Sequence, residues 1–270
     1  PGGVAGDEPA VMKKLGINNY HAALITSHGL SSISRSTRVF TIPLMLRNDE
    51  EVKLAMDALS EDLEAKLAER GYVILTWAYA GWVSFFVPTP DPSVESIQKL
   101  KLFTWAGDPD TAELWDMAGF TVVPLPATDL LTGLKTNLID AFDTTPIYAL
   151  TSQAFRQTEY MIDMHWAPLT GALVVNKKTW AKIPEELRPR LKASALKFGQ
   201  RLREETRKME ADAIESMKKR GLVIVTPTAE QLKEWHELAL DAYPKIRGRF
   251  VSAEDFDRIS EIVKEIREGS

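Results

Sequence analysis

The sequence predicts an α/β fold of two lobes, and three observations lead to that prediction. The chain has 270 residues, and at ~150 residues per domain this is the length of about two domains. Hydrophobic residues make up 44% and charged residues 26% of the chain, which is typical of a globular protein. A helical pattern, a glycine and an apolar run follow one another at Gly71 and again at Gly221, and this alternation is typical of α/β folds.

The first elements follow from local spacing and capping. Residues Glu8 to Leu15 predict a short helix, and the apolar run Tyr20 to Thr26 predicts a strand that ends in the polar turn Ser27-His28-Gly29. Asn48 is a suitable N-cap, because three acidic residues follow it in the first turn of a long helical pattern that stops at Gly71. The run Tyr72 to Trp77 then predicts a strand.

A second apolar run, Trp82 to Val87, precedes the densest cluster of breakers in the chain, Pro88 to Pro92, where we expect the chain to cross between lobes. The alternation then continues. We expect strands at Lys101 to Trp105, Thr121 to Val123, Leu138 to Phe142 and Ala172 to Val175, and helices opened by Asp108-Pro109, by Thr128 and by Pro146, the last reaching Phe155.

The longest predicted helix begins at Pro184 and reaches about Lys219. A helix of about 35 residues is roughly 50 Å long, which exceeds the ~30 Å width of a small domain, so we expect it to bridge both lobes. One face carries its apolar residues, which are Leu187, Leu191, Ala195, Phe198, Leu202, Met209, Ala213 and Met217. A strand at Leu222 to Val225 and two helices separated near Arg247-Gly248-Arg249 complete the chain.

Composition and motifs exclude several classes of function. The net charge is -5 and Lys and Arg are scattered, so we expect no nucleic-acid partner. The chain contains no cysteine, which excludes disulfides and thiol chemistry, and no apolar run reaches the ~20 residues that span a bilayer. No phosphate-binding loop, nucleophile elbow or metal-binding histidine pair is present. We therefore expect a protein that is not an enzyme and that has no cofactor and no metal.

Aromatic residues recur where predicted strands end or where the chain crosses between lobes. Ligands of open α/β sheets bind outside the carboxyl ends of strands, in sites lined by apolar and aromatic groups. Packing in the core is the alternative explanation for any single ring. The set predicts a ligand cleft between the lobes, and its members are Trp77, Tyr79, Trp82, Phe103, Trp105, Phe142 and Trp166.

Several segments, in this order, resemble the solute-binding proteins of tripartite ATP-independent periplasmic (TRAP) transporters, of the DctP type. The resemblance covers nearly the whole chain. The segments are Pro1-Gly2-Gly3 through Gly6-Asp7-Glu8, Trp77 to Trp82, Leu100 to Phe103 with Gly107-Asp108-Pro109, Pro124 to Leu130 with Leu134-Lys135-Thr136 and Ile139-Asp140, and Gly171 to Trp180.

This resemblance implies a two-lobed periplasmic-binding-protein fold with hinge strands and a long lobe-bridging helix. Lobe 1 is then residues 1–84 plus 172–215, lobe 2 is 85–171, and the C-terminal strand and helices in 216–270 pack across both. The implied function is capture of a small organic ligand in the periplasm, as a monomer, and its delivery to TRAP membrane permease subunits. Members of the family begin with a β-α-β unit before the segment matching Pro1-Gly2-Gly3, so we expect this unit to be missing from lobe 1 and a signal peptide to have been removed.

Two departures from the family pattern concern the ligand. Phe103 stands where the family usually carries an arginine that clamps an organic carboxylate, and the segment Asp140 to Pro146 replaces the usual Asp-Gly-Gln-Glu-Asn-Pro. A carboxylate buried beside Phe103 without a cation would be desolvated at a cost of several kcal/mol. We therefore predict a hydrophobic or aromatic ligand, with polar contacts from Asp143, Thr144 or Tyr79.

Three alternatives remain open from the sequence. Arg35, Arg38 or Arg156 could replace the missing cation and restore a carboxylate-binding TRAP receptor. The chain could instead be a carrier of lipid or another hydrophobic ligand that serves a partner protein. The third alternative is an enzyme that uses a cleft acid such as Asp143. The absence of a nucleophile and base motif argues against it.

Overall fold

The computed structural model describes residues 5–269, which form two compact units. Unit 1 contains the residues up to Ala80, Ala167–Thr206 and the residues from Arg247 onward, and unit 2 contains Gly81–Trp166 and Arg207–Ile246. The lobe boundaries expected at residues 84, 171 and 215 remain a prediction. The opening motif Pro1-Gly2-Gly3 lies outside the described residues.

Within residues 5–269 the chain alternates helices and strands, as the predicted α/β class requires. The strands are β1 (Ala22–Thr26), β2 (Tyr72–Val87), β3 (Lys101–Trp105), β4 (Thr121–Leu125), β5 (Phe142–Thr144), β6 (Tyr160–Ile162), β7 (Ala167–Asn176) and β8 (Val223–Val225). The helices are α1 (Glu8–Gly16), α2 (Ser27–Ser31), α3 (Asp49–Glu69), α4 (Val94–Gln98), α5 (Pro109–Met117), α6 (Leu130–Lys135), α7 (Pro146–Thr151), α8 (Lys177–Lys182), α9 (Arg188–Lys218), α10 (Ala229–Ile246) and α11 (Ala253–Glu268). None of these helices is long and apolar enough to cross a lipid bilayer.

Unit 1 is built on β7, which pairs in antiparallel register with β1 from Ala22 opposite Val175 to Thr26 opposite Gly171. Its longest helix, α3, starts where the sequence predicts, because the Asn48 side chain accepts a hydrogen bond from the N–H of Glu51. Helix α11 packs against α3. Arg267 fastens the two helices by donating from Nε and Nη2 to the carboxylate of buried Glu51, both at 2.9 Å.

Unit 2 is built on a mixed sheet. The part of β2 that belongs to unit 2 runs antiparallel to the strands paired with it. β3 and β4 pair in parallel, and a parallel bridge between Leu102 and Ala141 brings the segment that becomes β5 beside β3. β5 and β6 both run antiparallel to β2, and β8 runs parallel to β6. Strands β3, β4, β5, β6 and β8 therefore all point in one direction.

The two faces of this sheet carry two apolar layers. One face holds Phe86, Phe103 and Phe142 together with residues of α6 and α7 in a buried cluster. The opposite face holds aromatic rings, because Phe85 alternates with Phe86 along β2. Unit 2 thus has a core on each side of its sheet.

Two predicted elements, a turn and a strand, differ from those observed. The polar turn at Ser27-His28-Gly29 is wrong, because Thr26 caps α2 there by accepting from the N–H of Gly29 at 3.2 Å. The strand predicted at Leu138 to Phe142 is also wrong. Instead, residues Phe142–Thr144 pair with β2 and form the strand. The N–H groups of the preceding Asp140 and Ala141 both donate to the carbonyl of Lys101.

Two further corrections concern helices. Thr128 does not cap α6, which begins at Leu130 after a 3-10 turn at Ala127–Asp129, and its hydroxyl bonds to the Asp129 carboxylate instead. The predicted apolar face of the long helix is only partly covered. Ala195, Ala213 and Met217 are buried, whereas exposed fractions between 41% and 49% are found for Leu187, Leu191, Phe198 and Met209.

Candidate functional site

One edge of the unit 2 sheet collects the residues that follow its parallel strands. In sheets of this kind, ligands bind outside the carboxyl ends of the strands. We give the name carboxyl-end edge to the segments that follow these parallel strands, together with the start of β2 in unit 2. The carboxyl-end edge consists of residues 81–84, 104–108, 125–127, 143–146, 163–166 and 225–228. They contain no Lys or Arg, and they contain Asp108, Asp143 and Asp163.

Trp82 lies at this edge and is held from two sides. Its indole stacks on the imidazole of His165, with the ring centroids 4.5 Å apart and the planes inclined by 4°. Its backbone N–H donates to Oε1 of Glu210 at 2.9 Å. The preceding Gly81 has a φ of 105°, a left-handed conformation that favours glycine. The position of Trp82 is therefore fixed by α9 and by the segment after β6.

Trp166 also lies at this edge, where it belongs to an aromatic cluster on one face of the sheet. Its backbone N–H donates to the carbonyl of Val83 at 3.0 Å. Its ring centroid lies 5.0 Å from that of Trp115 and 5.7 Å from that of Phe85, and Trp235 stands 5.4 Å away. The exposed fraction of Trp166 is 7%, so most of its surface is used in packing.

Asp143 shares a sheet face with this aromatic cluster. It stands directly opposite Phe85 in the antiparallel pair of β5 and β2, and residues in direct register project to the same face. The residue is half-buried. Burial raises the pKa of the Asp143 carboxyl to about 7 from its ordinary 3.8, and a hydrogen bond from its own backbone N–H opposes that shift. Its neighbour Thr144, opposite Ser84, is half-buried as well.

The other predicted site residues of unit 2 occupy different surroundings. Trp105 ends β3 at the carboxyl-end edge and is half-buried against the core. Phe103 and Phe142 belong to that core: Phe142 is completely buried and stacks on Phe86 with centroids 4.8 Å apart, and Phe103 is 8% exposed. Packing explains both rings, and contact with a ligand remains a prediction for them.

Trp77 and Tyr79 belong to unit 1. Trp77 is buried edge-on against Phe40, with centroids 5.7 Å apart. Tyr79 is 1% exposed, its hydroxyl donates to Asp49 at 2.9 Å and its carbonyl accepts from Thr206 at 3.2 Å. Both side chains therefore have structural contacts within their own unit.

The nine predicted site residues thus divide into three sets. The structure brings Trp82, Trp105, Asp143, Thr144 and Trp166 to one edge of unit 2, places Phe103 and Phe142 in its core, and places Trp77 and Tyr79 in unit 1. Sequence reasoning missed His165 and Glu210, which hold Trp82. In the sequence, the role of His165 could have been inferred from its position next to Trp166, whereas no sequence signal pointed to Glu210. The described part of the chain has no group of three or more His, Cys, Asp or Glu placed to hold a metal ion.

Comparison with known proteins gives the family. The family model of DctP, described as bacterial extracellular solute-binding protein family 7, matches residues 1–248. This chain belongs to the DctP family. The resemblance inferred from the sequence motifs is thereby confirmed, and DctP proteins are solute-binding receptors rather than enzymes.

Curated relatives of this DctP chain carry names that state what they bind. It is 24% identical over 205 residues to the 2,3-diketo-L-gulonate-binding periplasmic protein YiaO of Escherichia coli, an alignment covering 74% of this chain and 61% of the relative. It is 23% identical over 150 residues to the ectoine/5-hydroxyectoine-binding periplasmic protein UehA of Ruegeria pomeroyi, covering 54% of this chain and 44% of that protein. The chain therefore spans less than two thirds of the length of either relative.

A solved structure confirms the predicted fold class of this DctP chain. The crystal structure of a TRAP periplasmic solute-binding protein from Xanthobacter autotrophicus, with bound β-D-galacturonate, superposes with a TM-score of 0.87. The match covers 98% of this chain and 87% of that chain at 20% sequence identity. The α/β fold of TRAP periplasmic binding proteins is therefore the fold of this chain.

Proposed function

We propose that this chain is the extracytoplasmic solute receptor of a TRAP-type secondary transporter and that it binds a small hydrophobic or aromatic organic ligand. The ligand lies against the carboxyl-end edge of unit 2. The receptor then delivers it to the membrane permease subunits without changing it chemically. The family match supports the receptor class.

The composition of the carboxyl-end edge is the main support for the proposed class of ligand. Three tryptophans stand there, Trp105 half-buried and Trp82 and Trp166 exposed by only 3% and 7%, and the segments that form the edge contain no Lys or Arg. Desolvation of a carboxylate without a cation costs several kcal/mol, whereas apolar surface gains ~25 cal/mol per Å² on burial. This edge therefore favours an apolar ligand over an anion.

The surroundings of Phe103 support the same ligand class. The position occupied by an arginine in the motif that the chain resembles is here a phenylalanine, and its ring packs in the unit 2 core with Leu130, Leu134 and Phe142. A guanidinium at this place would need a buried acceptor. An arginine clamp at this position is therefore replaced by hydrophobic packing.

A carboxylate-binding receptor is the second candidate, and the names of similar proteins favour it. The names of the relatives and of the superposed structure specify acids, 2,3-diketo-L-gulonate and galacturonate, as well as ectoine. Of the three arginines considered from the sequence, Arg38 is buried in unit 1, whereas Arg35 and Arg156 are exposed. Arg35 donates to the carbonyl of Arg249, and Arg156 lies over the ring of Phe155. Because Arg35 and Arg156 are exposed, we take the buried Arg38 as the cation to test for this candidate.

Identification of the ligand that accompanies the purified protein tests the proposal. The protein would be exported, purified without denaturation and extracted, and the extract analysed by mass spectrometry. We expect an apolar or aromatic compound of low molecular mass. A long-chain lipid would instead support the carrier alternative, and a sugar acid would contradict the ligand class that we propose.

Calorimetric titration with D-glucuronate, D-galacturonate and succinate provides the complementary measurement. We expect no binding at micromolar concentration. Micromolar affinity for any of these acids would overturn the hydrophobic-ligand proposal. Loss of that affinity in Arg38→Met, with no change in the matched control Arg35→Met, would then establish the carboxylate-binding candidate.

A further inference from the structure

Asp143 is the acidic side chain of the carboxyl-end edge whose position the proposed function does not yet explain. Among the described residues, its carboxylate accepts a hydrogen bond only from its own backbone N–H. Asp108, by contrast, caps α5 by accepting from the N–H and the hydroxyl of Thr111. A half-buried carboxyl with so few partners is costly to ionise, since water and cations normally stabilise its charge.

The surroundings of this carboxyl are aromatic. Directly across the sheet is Phe85, whose ring lies 5.7 Å from Trp166 and 5.8 Å from Trp115. On the neighbouring strand, Thr104 is buried and contributes no charge. Aromatic faces attract cations through the ring quadrupole, and a desolvated carboxylate attracts them through its full charge. The two features together select for positive charge and against negative charge.

We propose that the ligand of this receptor carries a protonated nitrogen that pairs with the Asp143 carboxylate, while its apolar part lies on the same sheet face against the exposed part of Trp166. This inference rests on the proposed function, because it assigns the charge of a ligand held at the same edge. The absence of Lys and Arg from the edge segments is consistent with it, as is the presence there of Asp163. The ligand nitrogen supplies the partner that Asp143 lacks.

A matched set of three probes tests the charge of the preferred ligand. 2-Phenylethylammonium, 2-phenylethanol and phenylacetate share a benzene ring and a two-carbon chain but are positive, neutral and negative at pH 8. Binding would be followed by calorimetry and by quenching of tryptophan fluorescence. We expect the ammonium compound to bind at least tenfold more tightly than either of the others, because a charge-assisted hydrogen bond contributes ~1.5–3 kcal/mol.

The variant Asp143→Asn separates the role of the carboxylate from that of the rings. We expect it to weaken binding of 2-phenylethylammonium at least tenfold and to leave 2-phenylethanol within about twofold. Asp116→Asn is the matched control, since it removes an exposed carboxylate from α5 in the same unit, and it should change neither affinity.

The outcomes distinguish the two levels of the proposal. Tighter binding of 2-phenylethanol than of the ammonium compound would overturn the inferred charge and leave the proposed hydrophobic ligand class intact. Tighter binding of phenylacetate would overturn the inferred charge and also contradict the argument that the edge disfavours an anion. Unchanged binding of the ammonium compound in Asp143→Asn would overturn the assignment to this residue. Failure of all three probes to bind would contradict the proposed ligand class and, with it, the inference.

Discussion

Replacement of Asp143 by asparagine should stabilise the protein, and the effect should depend on pH. The folded state raises the pKa of this carboxyl to about 7, whereas an unfolded chain leaves it near the ordinary 3.8. At pH values between these two, the folded protein holds a proton that the unfolded chain releases. Stability contributed by the neutral carboxyl is therefore fully present below about pH 4 and is lost as the pH rises towards 7.

The magnitude follows from the size of that change. A tenfold change in an ionisation constant corresponds to ~1.4 kcal/mol, so the interval from 3.8 to about 7 corresponds to about 4 kcal/mol. Asp143 is half-buried and water screens part of this cost. We therefore expect Asp143→Asn to be about 2–3 kcal/mol more stable than the native protein at pH 8.

Urea unfolding of both proteins at several pH values between 4 and 8 measures this difference directly. The advantage of Asp143→Asn should grow as the pH rises from 4 to 7 and stay constant above that. Asp116→Asn, an exposed substitution in the same unit, should differ from the native protein by about 0.5 kcal/mol or less at every pH. An advantage that does not vary with pH, or a loss of stability at pH 8, would refute the assignment of a desolvated carboxyl.

Two further substitutions test single contacts by urea unfolding. Arg267→Met should lower the free energy of unfolding by about 2–4 kcal/mol, because it leaves the 5% exposed carboxylate of Glu51 without its guanidinium. A loss below about 0.5 kcal/mol would show that this ion pair does not stabilise the protein. Gly81→Ala should cost about 2–4 kcal/mol, because its φ is 105° and a Cβ there would lie 2.9 Å from the Glu210 carboxylate. Gly71→Ala, with a φ of 92° and no heavy atom within 4 Å of its Cβ, should cost only about 1–2 kcal/mol, and equal losses would exclude a role for the Glu210 contact.

Much of the fold can be read from local patterns. Asn48 and Asp108 cap α3 and α5 as predicted, because a side chain that accepts from the N–H groups of the first turn acts over three residues only. The strand at Lys101 to Trp105 and the break between the last two helices near Gly248 are likewise where local apolar runs and breakers place them. These features need no distant partner.

The strand at Phe142–Thr144 shows why other elements could not be predicted. The preceding segment, Leu138 to Asp140, has a similar apolar pattern, but only Phe142–Thr144 pair with β2. Pairing with β2 therefore decides which of these residues form a strand. The exposed apolar positions of α9 have the same cause. A helical period shows that Leu191 and Phe198 share a face with Ala195, but not how much of that face the rest of the chain covers.

The candidate site divides in the same way. The sequence alone determined the family, because ordered motifs can be recognised without any knowledge of packing. It also predicted that aromatic residues recur where strands end, and this holds for Trp105, which ends β3, but not for Phe103 and Phe142. Only the tertiary structure decided which rings belong to the core, as for Phe142 on Phe86, and which stand at the carboxyl-end edge, as for Trp82. It also decided the environment of Asp143, since the register that sets a carboxyl opposite Phe85 joins residues 58 positions apart. A pKa depends on such neighbours in space, and local sequence does not specify them.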